Sequence, residues 1–462
     1  MVSVVILAAG FGTRIKSDTP KVLHTLCGKS MIEYVIDTAL QISSDVHVVL
    51  YNQKEKIQAF LQDKYAWYIA DKITFHTQLH DKYPGTGGAL MQENKQLIDI
   101  KGTKVLILSG DTPLVTCNDL EKLVNGGGAI NLCVFQTQNP YGYGRIIKKT
   151  QNTSSKEECF AIESIIEEKD CDITQKQIDV VNAGIYCFER KILQDYIPKL
   201  DSNNAQQEYY LTQVIELASR DFRENKDLKS NADSRDIFAF MCCEENMLGI
   251  NTKLHLSQAE QILLTRLRNK AMEQGVIMQI PESIYIESDV CFEGECVLEN
   301  GVRITGKSYI KNSHIKAHSV VEESEITQSD IGPHAHIRPN SNIKDSHIGN
   351  FVECKNASLE GIKAGHLSYL GDCVIGSGSN VGAGVITCNY DGMKKHKTHI
   401  GKNVFIGSDC QLVAPVNIAD NVLIGAGSTI TKNIEEGSLS LARSKQVNYP
   451  NGFYKFFTQK SE

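Results

Sequence analysis

The chain has 462 residues, of which 41% are hydrophobic and 22% are charged. At about 150 residues per domain, this length predicts two or three domains with a sizeable core, and it excludes a single small module or a disordered chain. The formal charge of −7 and the pI of about 6.0 exclude a general electrostatic attraction to nucleic acid or membranes.

The chain opens on an apolar run, residues 2–7, without basic residues before it or a small-residue cleavage site after it. We expect a first β-strand there and not a signal peptide, and no run approaches the ~20 apolar residues that span a bilayer. The cysteines include no C-x-x-C pair. Those in apolar positions, expected to be buried thiols, include Cys133, Cys187, Cys373 and Cys388. This usage predicts a reducing, cytoplasmic compartment.

Residues 1 to about 250 alternate short apolar runs with longer amphipathic stretches. The runs of strand length are residues 2–7, 46–50, 105–108 and 130–135. Such continuous runs are typical of strands that are covered on both faces. Helical patterns lie at residues 31–42 and 53–61. The βαβα order predicts an α/β, doubly wound, Rossmann-like and mostly parallel sheet, with its ligand site at the carboxyl ends of the strands.

The pattern changes after residue 251. Apolar residues recur three or four positions apart from 252 to 272, Ser257 and Glu260 have the spacing of a capping box, and Gly275 follows. We interpret this stretch as a helix that joins two domains; the alternative is the last helix of the first domain. The predicted organisation is residues 1–253, a helical linker of 254–274, and residues 275–462.

Beyond about residue 280, apolar residues recur every six positions. The regular series are Ile400, Ile406, Leu412, Ile418, Ile424 and Ile430, with Val404, Cys410, Val416 and Val422 two positions before four of them. A hexapeptide repeat predicts short strands stacked in three-sided coils, a left-handed parallel β-helix filled by aliphatic side chains. The alternative, an antiparallel sandwich, would show period-two alternation with hairpin turns.

The six-residue rhythm breaks at residues 389–398. An insertion in a solenoid leaves it as a loop, and loops often carry function. The basic run of residues 394–397 within this segment suits an anionic ligand, and a solvated charge run is the alternative.

The first strand leads into a glycine-rich turn at residues 7–14, Leu-Ala-Ala-Gly-Phe-Gly-Thr-Arg. Backbone N–H groups of such a turn can approach phosphate oxygens, and Arg14 and Lys21 add positive charge. The turn is not a Walker loop, and Ile15 stands where the dinucleotide fingerprint has its third glycine. Asp111 ends another strand, where its carboxylate suits Mg²⁺ in a phosphate-transfer site. A turn or cap residue is the alternative for Asp111.

Because Pro20-Lys21 follows the turn, this half resembles the sugar-phosphate nucleotidyltransferases, whose signature is L-A-A-G-x-G-T-R followed by P-K. With the hexapeptide half added, the whole chain resembles the bacterial bifunctional N-acetylglucosamine-1-phosphate uridylyltransferase and glucosamine-1-phosphate N-acetyltransferase family. The most specific strings are residues 7–14 with Lys21, 143–146, 350–353, 364–372, 386–392 and 407–409.

The resemblance implies two successive reactions. Acetyl-CoA would acetylate glucosamine 1-phosphate, and UTP would then transfer its uridylyl group to N-acetylglucosamine 1-phosphate with Mg²⁺, releasing pyrophosphate. The product, UDP-N-acetylglucosamine, would feed the synthesis of peptidoglycan and lipopolysaccharide precursors. The resemblance also implies a cytoplasmic homotrimer whose acetyl sites are shared between subunits, with no nucleic-acid or membrane partner.

The resemblance further implies the site residues. The uridylyl site would comprise Leu7, Ala8, Ala9, Gly10, Lys21, Gln78, Gly85, Thr86, Gly144, Glu167, Asn182 and Asn251. Arg14 and Lys21 would stabilise the transferred charge, and Asp111 and Asn251 would bind Mg²⁺. Glucosamine 1-phosphate would be held by Arg338, Lys355, Tyr369 and Asn380, with His366 as the general base. Acetyl-CoA would contact Ala383, Asn389, Tyr390, Ser408, Ala426 and Arg443.

One departure from the family concerns the base contacts, because residues 78–85 are longer than the usual Q-x-x-Q-x-G-T and a second glutamine is missing. Two other functions remain open: a nucleotidyltransferase whose β-helix is only an arm, and a non-enzymatic scaffold. His366, Arg338 and Lys355 disfavour the arm, although a structural histidine is the alternative for His366. Lys21 and Asp111 disfavour the scaffold.

Overall fold

A computed structural model describes residues 1–69, 71–149, 158–224 and 236–457. Their contacts divide the chain into two units, Met1–Leu263 and Leu264–Glu462. Among the described helices, none combines the length and the apolar character that a membrane crossing requires.

The first unit alternates strands and helices. Its strands are β1 Val2–Ala8, β2 Thr25–Leu26, β3 Lys29–Ser30, β4 Val46–Leu50, β5 Ile73–Thr77, β6 Lys104–Ser109, β7 Ile130–Gln136, β8 Arg145–Lys148, β9 Cys159–Ile166, β10 Val180–Glu189 and β11 Ile237–Met241. Its α-helices are α1 Met31–Ile42, α2 Lys54–Lys64, α3 Ala66–Ile69, α4 Cys117–Val124, α5 Arg190–Tyr196 and α6 Thr212–Glu224, followed by α7 Lys253–Glu273. Short 3₁₀ helices include Thr13–Ile15, Lys21–Leu23, Gly88–Leu90, Glu93–Lys95, Glu168–Asp170, Gln175–Gln177, Ile197–Lys199 and Glu244–Met247.

Nine of the described strands form one sheet in the order β5-β4-β1-β6-β10-β7-β11-β9-β8, and β2 pairs with β3. Strands β5, β4, β1 and β6 are parallel, as predicted. The prediction of a mostly parallel sheet is wrong beyond β6, because β10 is antiparallel to β6 and β7, and β9 is antiparallel to β8 and β11. Parallel pairing needs a long crossover, and only short 3₁₀ helices connect β9 to β10.

Both faces of this sheet are covered. Val4 packs in a core cluster with Ile36 of α1, whereas its neighbour Val5 packs in another with Leu193 of α5 and Val214 of α6. Successive side chains of a strand point to opposite faces. Burial on both sides therefore explains why the first strand reads as a continuous apolar run.

Helix α7 lies where the periodicity predicts it. The backbone N–H of His255 donates to the Thr252 hydroxyl at 3.1 Å, so Thr252 caps the helix. The predicted capping box at Ser257 is wrong, because Ser257 lies a turn inside the helix. Gly275 follows the helix with a φ of +99°, the left-handed conformation that commonly ends helices. The division between the two units falls within α7.

The second unit repeats a short strand and a turn along three parallel sheets. The first sheet contains Ile277–Met278, Val297–Leu298, His314–Ile315, Asp330–Ile331, His347–Asn350, Lys363–His366, Asn380–Val381, Phe405–Ile406, Leu423–Ile424 and Leu439–Ser440. The second contains Tyr285–Ile286, Arg303–Thr305, Val320–Glu322, His336–Ile337, Glu353–Lys355, Tyr369–Gly371, Ile386–Cys388, Gln411–Val413 and Thr429–Ile430. The third contains Cys291–Glu293, Tyr309–Lys311, Glu325–Thr327, Asn342–Lys344, Ser358–Glu360, Cys373–Ile375, Thr398–Ile400 and Val416–Ile418. The 3₁₀ helix Pro281–Ser283 lies near its beginning, and helix α8, Gly452–Phe457, near its end.

This unit is the predicted left-handed parallel β-helix, but its coils differ in length. Ile286 pairs with Ile304, 18 residues later, whereas Val321 pairs with Ile337, 16 residues later. The six-residue series is therefore strict only toward the end of the unit. Thr387 pairs with Leu412, 25 residues later, so the predicted insertion at 389–398 lies within one enlarged coil.

The cysteines are all free thiols. Cys133, Cys187 and Cys373 are buried, as predicted. Cys388 is only partly buried, because its neighbour Thr387 takes the interior position of that strand. Side chains alternate along a strand, so adjacent residues cannot both face the interior.

Candidate active sites

A cavity of about 370 Å³ lies at the carboxyl ends of β5, β4, β1 and β6. Of the predicted uridylyl residues, those that line it are Leu7, Ala8, Ala9, Gly10, Lys21, Gln78, Gly85 and Thr86, and the predicted metal ligand Asp111 lines it too. These residues meet because adjacent parallel strands end at the same edge of a sheet.

Charged and amide groups from distant parts of the chain converge on Lys21. Its ammonium group forms an ion pair with Asp111 and donates to Asn251 Oδ1 at 2.7 Å. Arg14 also donates to Asn251 Oδ1, at 2.8 Å. The N–H of Ile250 donates to the Asp111 carbonyl at 2.9 Å, which holds Asn251 beside the end of β6.

Gly12 is required beside Lys21. Its φ is +63°, and a Cβ at this position would lie 2.6 Å from the Lys21 Cβ. Glycine alone combines a left-handed conformation with so close an approach at no steric cost. This explains the glycine that follows Phe11 in the turn.

Asp111 is the carboxylate of this cavity. Burial alone would raise the pKa of Asp111, but the charge of Lys21 and hydrogen bonds from Lys21 and Ser109, the latter at 2.7 Å, outweigh it and lower the pKa. The carboxylate of Asp111 and the amide oxygen of Asn251 are hard oxygen donors. The pair fits a divalent cation that completes its coordination with phosphate oxygens and water.

Gly144, Glu167 and Asn182 form a second group next to the cavity. The N–H of Asn182 donates to the Gly144 carbonyl at 2.9 Å, and a Cβ on Gly144 would lie 3.6 Å from Glu167 Oε2. The Asn182 amide donates to the Tyr186 hydroxyl at 2.6 Å, and Tyr186 lines the cavity. Burial raises the pKa of Glu167, while a hydrogen bond from Thr212 at 3.0 Å opposes the rise.

A buried arginine ties together the two strands that carry Gly144 and Glu167. Arg145 is 1% exposed, donates to the Tyr143 carbonyl and forms an ion pair with Glu168 at 2.6 Å. Arg145 also pairs across the sheet with Ile166. Each of its partners flanks a predicted site residue.

Arg145→Met is expected to lower the free energy of unfolding of the first unit by about 3 to 5 kcal/mol, because it leaves a buried ion-pair partner uncompensated. Denaturant titration of the full chain measures the change. Arg223→Met is the matched control, since Arg223 is 48% exposed and pairs with Glu163 at 2.8 Å. An exposed pair contributes about 1 kcal/mol at most, so equal losses in both variants would contradict a special role for Arg145.

Further residues of the cavity carry no signal in the sequence. They are Phe11, Pro20, Val22, Asn52, Ile57, His80, Ala89, Ser109, Gly184, Tyr186, Glu208 and Leu211. Gln78, which the sequence does predict, closes the long 78–85 segment. It is 4% exposed, and its Nε2 donates to the carbonyls of Tyr83 and Gly85, both at 3.0 Å.

In the second unit, the residues predicted to hold glucosamine 1-phosphate lie on successive coils. Arg338 and Lys355 follow the paired residues Ile337 and Cys354 of the second sheet. A hydrogen bond and the charge of Lys395, followed by the charge of Arg338, lower the pKa of Lys355. These three positive groups therefore repel one another, which favours binding of an anion.

The inserted segment is anchored beside Tyr369. Asn389 is 7% exposed, and its amide donates to Asp372 at 2.5 Å and to the Tyr369 hydroxyl at 3.4 Å. Lys395 forms a β-bridge with Tyr390, which is exposed. The structure thus brings the predicted acetyl-CoA residue Asn389 into contact with the predicted sugar-phosphate residue Tyr369.

His366 has an exposed side chain at the end of a strand in the first sheet. The hydroxyl of Ser368 donates to the carbonyls of His366, at 2.9 Å, and Gly382, at 3.1 Å. This links His366 to the coil that carries Asn380 and Ala383. Asn380 pairs with Lys363, three residues before His366.

Ala383, Ser408 and Ala426 form a strip of small residues along successive coils. The N–H of Asp409 donates to the Ala383 carbonyl at 2.7 Å, and the N–H of Gly427 donates to the Ser408 carbonyl at 2.8 Å. Arg443 donates to the Ala426 carbonyl at 2.7 Å, which places a positive charge at the end of the strip. Short side chains leave room for an extended ligand along this strip.

Known proteins match both halves of the chain. Residues 4–161 match the MobA-like NTP transferase domain, and residues 397–432 match the bacterial transferase hexapeptide family, which has six repeats. A bifunctional protein GlmU from Helicobacter pylori strain HPAG1 is 52% identical over 99% of both chains. Those of Helicobacter hepaticus and Campylobacter fetus are 52% and 48% identical, over 100% of this chain and 98% and 99% of theirs. As the sequence resemblance predicts, the chain belongs to the GlmU family of bifunctional enzymes, which make UDP-N-acetylglucosamine by acetyl transfer and uridylyl transfer.

Proposed function

We propose that the cavity of the first unit binds UTP, N-acetylglucosamine 1-phosphate and Mg²⁺, and that the positive cluster and small-residue strip of the second unit bind glucosamine 1-phosphate and acetyl-CoA. The convergence of Lys21, Arg14, Asp111 and Asn251 carries the first assignment. Cations and hard oxygen donors together match a nucleoside triphosphate with its metal ion.

Uridylyl transfer needs no protein nucleophile. A phosphate oxygen of N-acetylglucosamine 1-phosphate attacks the α-phosphorus of UTP in line, and pyrophosphate leaves. The N–H groups of residues 7–10, Arg14 and Lys21 orient the phosphates and stabilise their charge. Asp111 and Asn251 hold Mg²⁺, which supplies further charge neutralisation when bound. Gly144, Glu167 and Asn182 bind the sugar beside the reacting phosphate.

In acetyl transfer, the amine of glucosamine 1-phosphate attacks the thioester carbonyl of acetyl-CoA, and the thiol of coenzyme A leaves. His366 accepts the proton of the attacking amine as the general base. Arg338 and Lys355 bind the phosphate, with Tyr369 and Asn380 on the sugar. The acetyl-CoA lies along Ala383, Asn389, Tyr390, Ser408, Ala426 and Arg443.

The two activities are assigned to residues 1–253 and 275–462, joined by the linker 254–274. The chain acts in the cytoplasm as a homotrimer in which acetyl sites are shared between subunits. Exposed apolar side chains on the β-helix, such as Phe351 and Leu367, support an association of copies.

Product identification tests both reactions in one experiment. The pure protein is incubated with glucosamine 1-phosphate, acetyl-CoA, UTP and Mg²⁺, each omitted in turn, and products are identified by mass spectrometry. UDP-N-acetylglucosamine should disappear without acetyl-CoA and return when N-acetylglucosamine 1-phosphate is supplied. Uridylylation without acetylation would reduce the β-helix to an arm.

Lys355→Met is expected to raise the KM for glucosamine 1-phosphate about tenfold or more, because a charged hydrogen bond to phosphate is lost. The melting temperature should not fall, since the lowered pKa of Lys355 means that the fold disfavours its charged form. Steady-state acetyl transfer and calorimetry measure the two effects.

Lys344→Met is the matched control, because Lys344 is a surface lysine of the same β-helix that is paired with Glu360 at 3.0 Å. Its KM for glucosamine 1-phosphate should stay within about twofold of the unmodified protein, since it loses only an exposed pair. An unchanged KM in Lys355→Met would remove Lys355 from the phosphate site.

A further inference from the structure

Three aromatic rings follow three neighbouring parallel strands of the first unit. Phe11 follows β1, Tyr51 follows β4 and His80 follows β5, and these strands are adjacent in the sheet. The rings of Tyr51 and His80 stack with centroids 4.7 Å apart and an interplanar angle of 16°. Phe11 packs edge-on against His80 at 5.1 Å and against Tyr51 at 5.9 Å.

Polar contacts hold this aromatic cluster in place. The Tyr51 hydroxyl donates to Asp81 at 2.8 Å, and Asn52 donates to the Phe11 carbonyl at 3.4 Å. The N–H of Gln78 donates to the Leu50 carbonyl at 2.9 Å, which joins the starts of the segments that carry Tyr51 and His80. The cluster is thus organised in the absence of a ligand.

The aromatic cluster belongs to the wall of the cavity that also contains the charged groups. Phe11 and His80 line the cavity, as do Lys21 and Asp111. A nucleotide has the same division, with charged phosphates and a flat base. Bases stack readily on aromatic side chains, so the aromatic part of the wall matches the base.

Hydrogen-bond capacity distinguishes His80 from Gln78. The Nε2 donor of Gln78 is engaged by the carbonyls of Tyr83 and Gly85, which leaves its Oε1 to act as an acceptor. Uracil presents one N–H donor flanked by two carbonyl acceptors. Gln78 can accept from the N–H, and an imidazole N–H can donate to a carbonyl. Cytosine has no such N–H donor on its ring, so this pairing would disfavour it.

We propose that His80 is a specificity-determining residue, which contacts the uracil base of UTP by stacking and by donating a hydrogen bond to a base carbonyl. This inference rests on the proposed nucleotide cavity. It assigns His80 a role in binding the base and none at the reacting phosphorus. The competing interpretation is that the ring only packs the 78–85 segment.

Uridylyl transfer by full-length His80→Ala and His80→Phe tests this proposal, with UTP or CTP as the nucleotide and N-acetylglucosamine 1-phosphate and Mg²⁺ present. His80→Ala should raise the KM for UTP about tenfold, the scale of a lost base–aromatic contact, with kcat within about twofold. His80→Phe keeps a ring and should recover part of the KM, but its preference for UTP over CTP should fall as in the alanine variant.

Lys82→Met is the matched control, because Lys82 lies two residues away in the same segment, is half exposed and pairs with Glu93 at 2.5 Å. Its KM and preference should stay unchanged, and intact acetyl transfer in every variant verifies the fold. An unchanged KM and nucleotide preference in both His80 variants would overturn the proposal. A fall in kcat alone, or an equal rise in the KM for the sugar phosphate, would overturn it in favour of packing.

The proposed function can fail separately. Inactivity of Asp111→Ala with normal His80 variants would leave the nucleotide cavity in place and remove only the assignment of His80. Full activity of Asp111→Ala would remove both.

Discussion

Asp111→Ala is expected to lower uridylyl transfer by about 10²- to 10³-fold, the scale on which a preorganised charge-stabilising group acts. Asp111 is the carboxylate that faces Lys21, and with Asn251 it forms the oxygen pair proposed for Mg²⁺. Without it the metal loses its charged protein ligand, and Lys21 loses the partner that fixes its position. Acetyl transfer depends on residues of the second unit and should stay within about twofold.

Pyrophosphate release from UTP and N-acetylglucosamine 1-phosphate, measured over a range of Mg²⁺ concentrations, gives the loss and its metal dependence. Asp111→Asn separates charge from shape, because the amide keeps the size of the side chain. It should be damaged nearly as much as the alanine variant, and excess Mg²⁺ should restore neither fully. Pyrophosphate release at a near-normal rate in Asp111→Ala would show that the metal assignment is wrong.

Local patterns predict the elements that local physics determines. The periodicity of residues 31–42 predicts α1 with the bounds that the structure has, and the apolar run of residues 46–50 does the same for β4. The β-helix is predictable because each coil must fill the same interior. The length of each coil is not, since the 16-residue step from Val321 to Ile337 depends on pairing between coils.

Site residues are predictable where a motif contains them. The turn before Gly12, Lys21 and Asp111 belong to strings whose chemistry can be read from the sequence. Phe11 and His80 are different, because they meet only after β1, β4 and β5 pair in the sheet. The function of Arg145 likewise depends on the antiparallel pairing of β8 with β9, where the sequence predicts a mostly parallel sheet.

His366→Ala is expected to lower acetyl transfer by about 10²-fold or more, the scale of a lost general base. The attacking amine must give up a proton as the amide forms, and His366 is an exposed side chain next to the coil of Ala383, where the acetyl group of acetyl-CoA is proposed to lie. Arg338 and Lys355 still hold the phosphate in this variant. The KM for glucosamine 1-phosphate should therefore change little while kcat falls.

His347→Ala is the matched control, because His347 belongs to the same sheet and pairs instead with Asp330 at 2.8 Å. Its acetyl transfer should stay within about twofold, since the loss of an exposed pair costs little. Uridylyl transfer of His366→Ala, measured on the same preparation, separates chemistry from folding. Added imidazole should restore part of the acetyl rate if proton transfer is what the variant lacks. Equal damage to both activities, without rescue by imidazole, would instead identify His366 as a structural histidine.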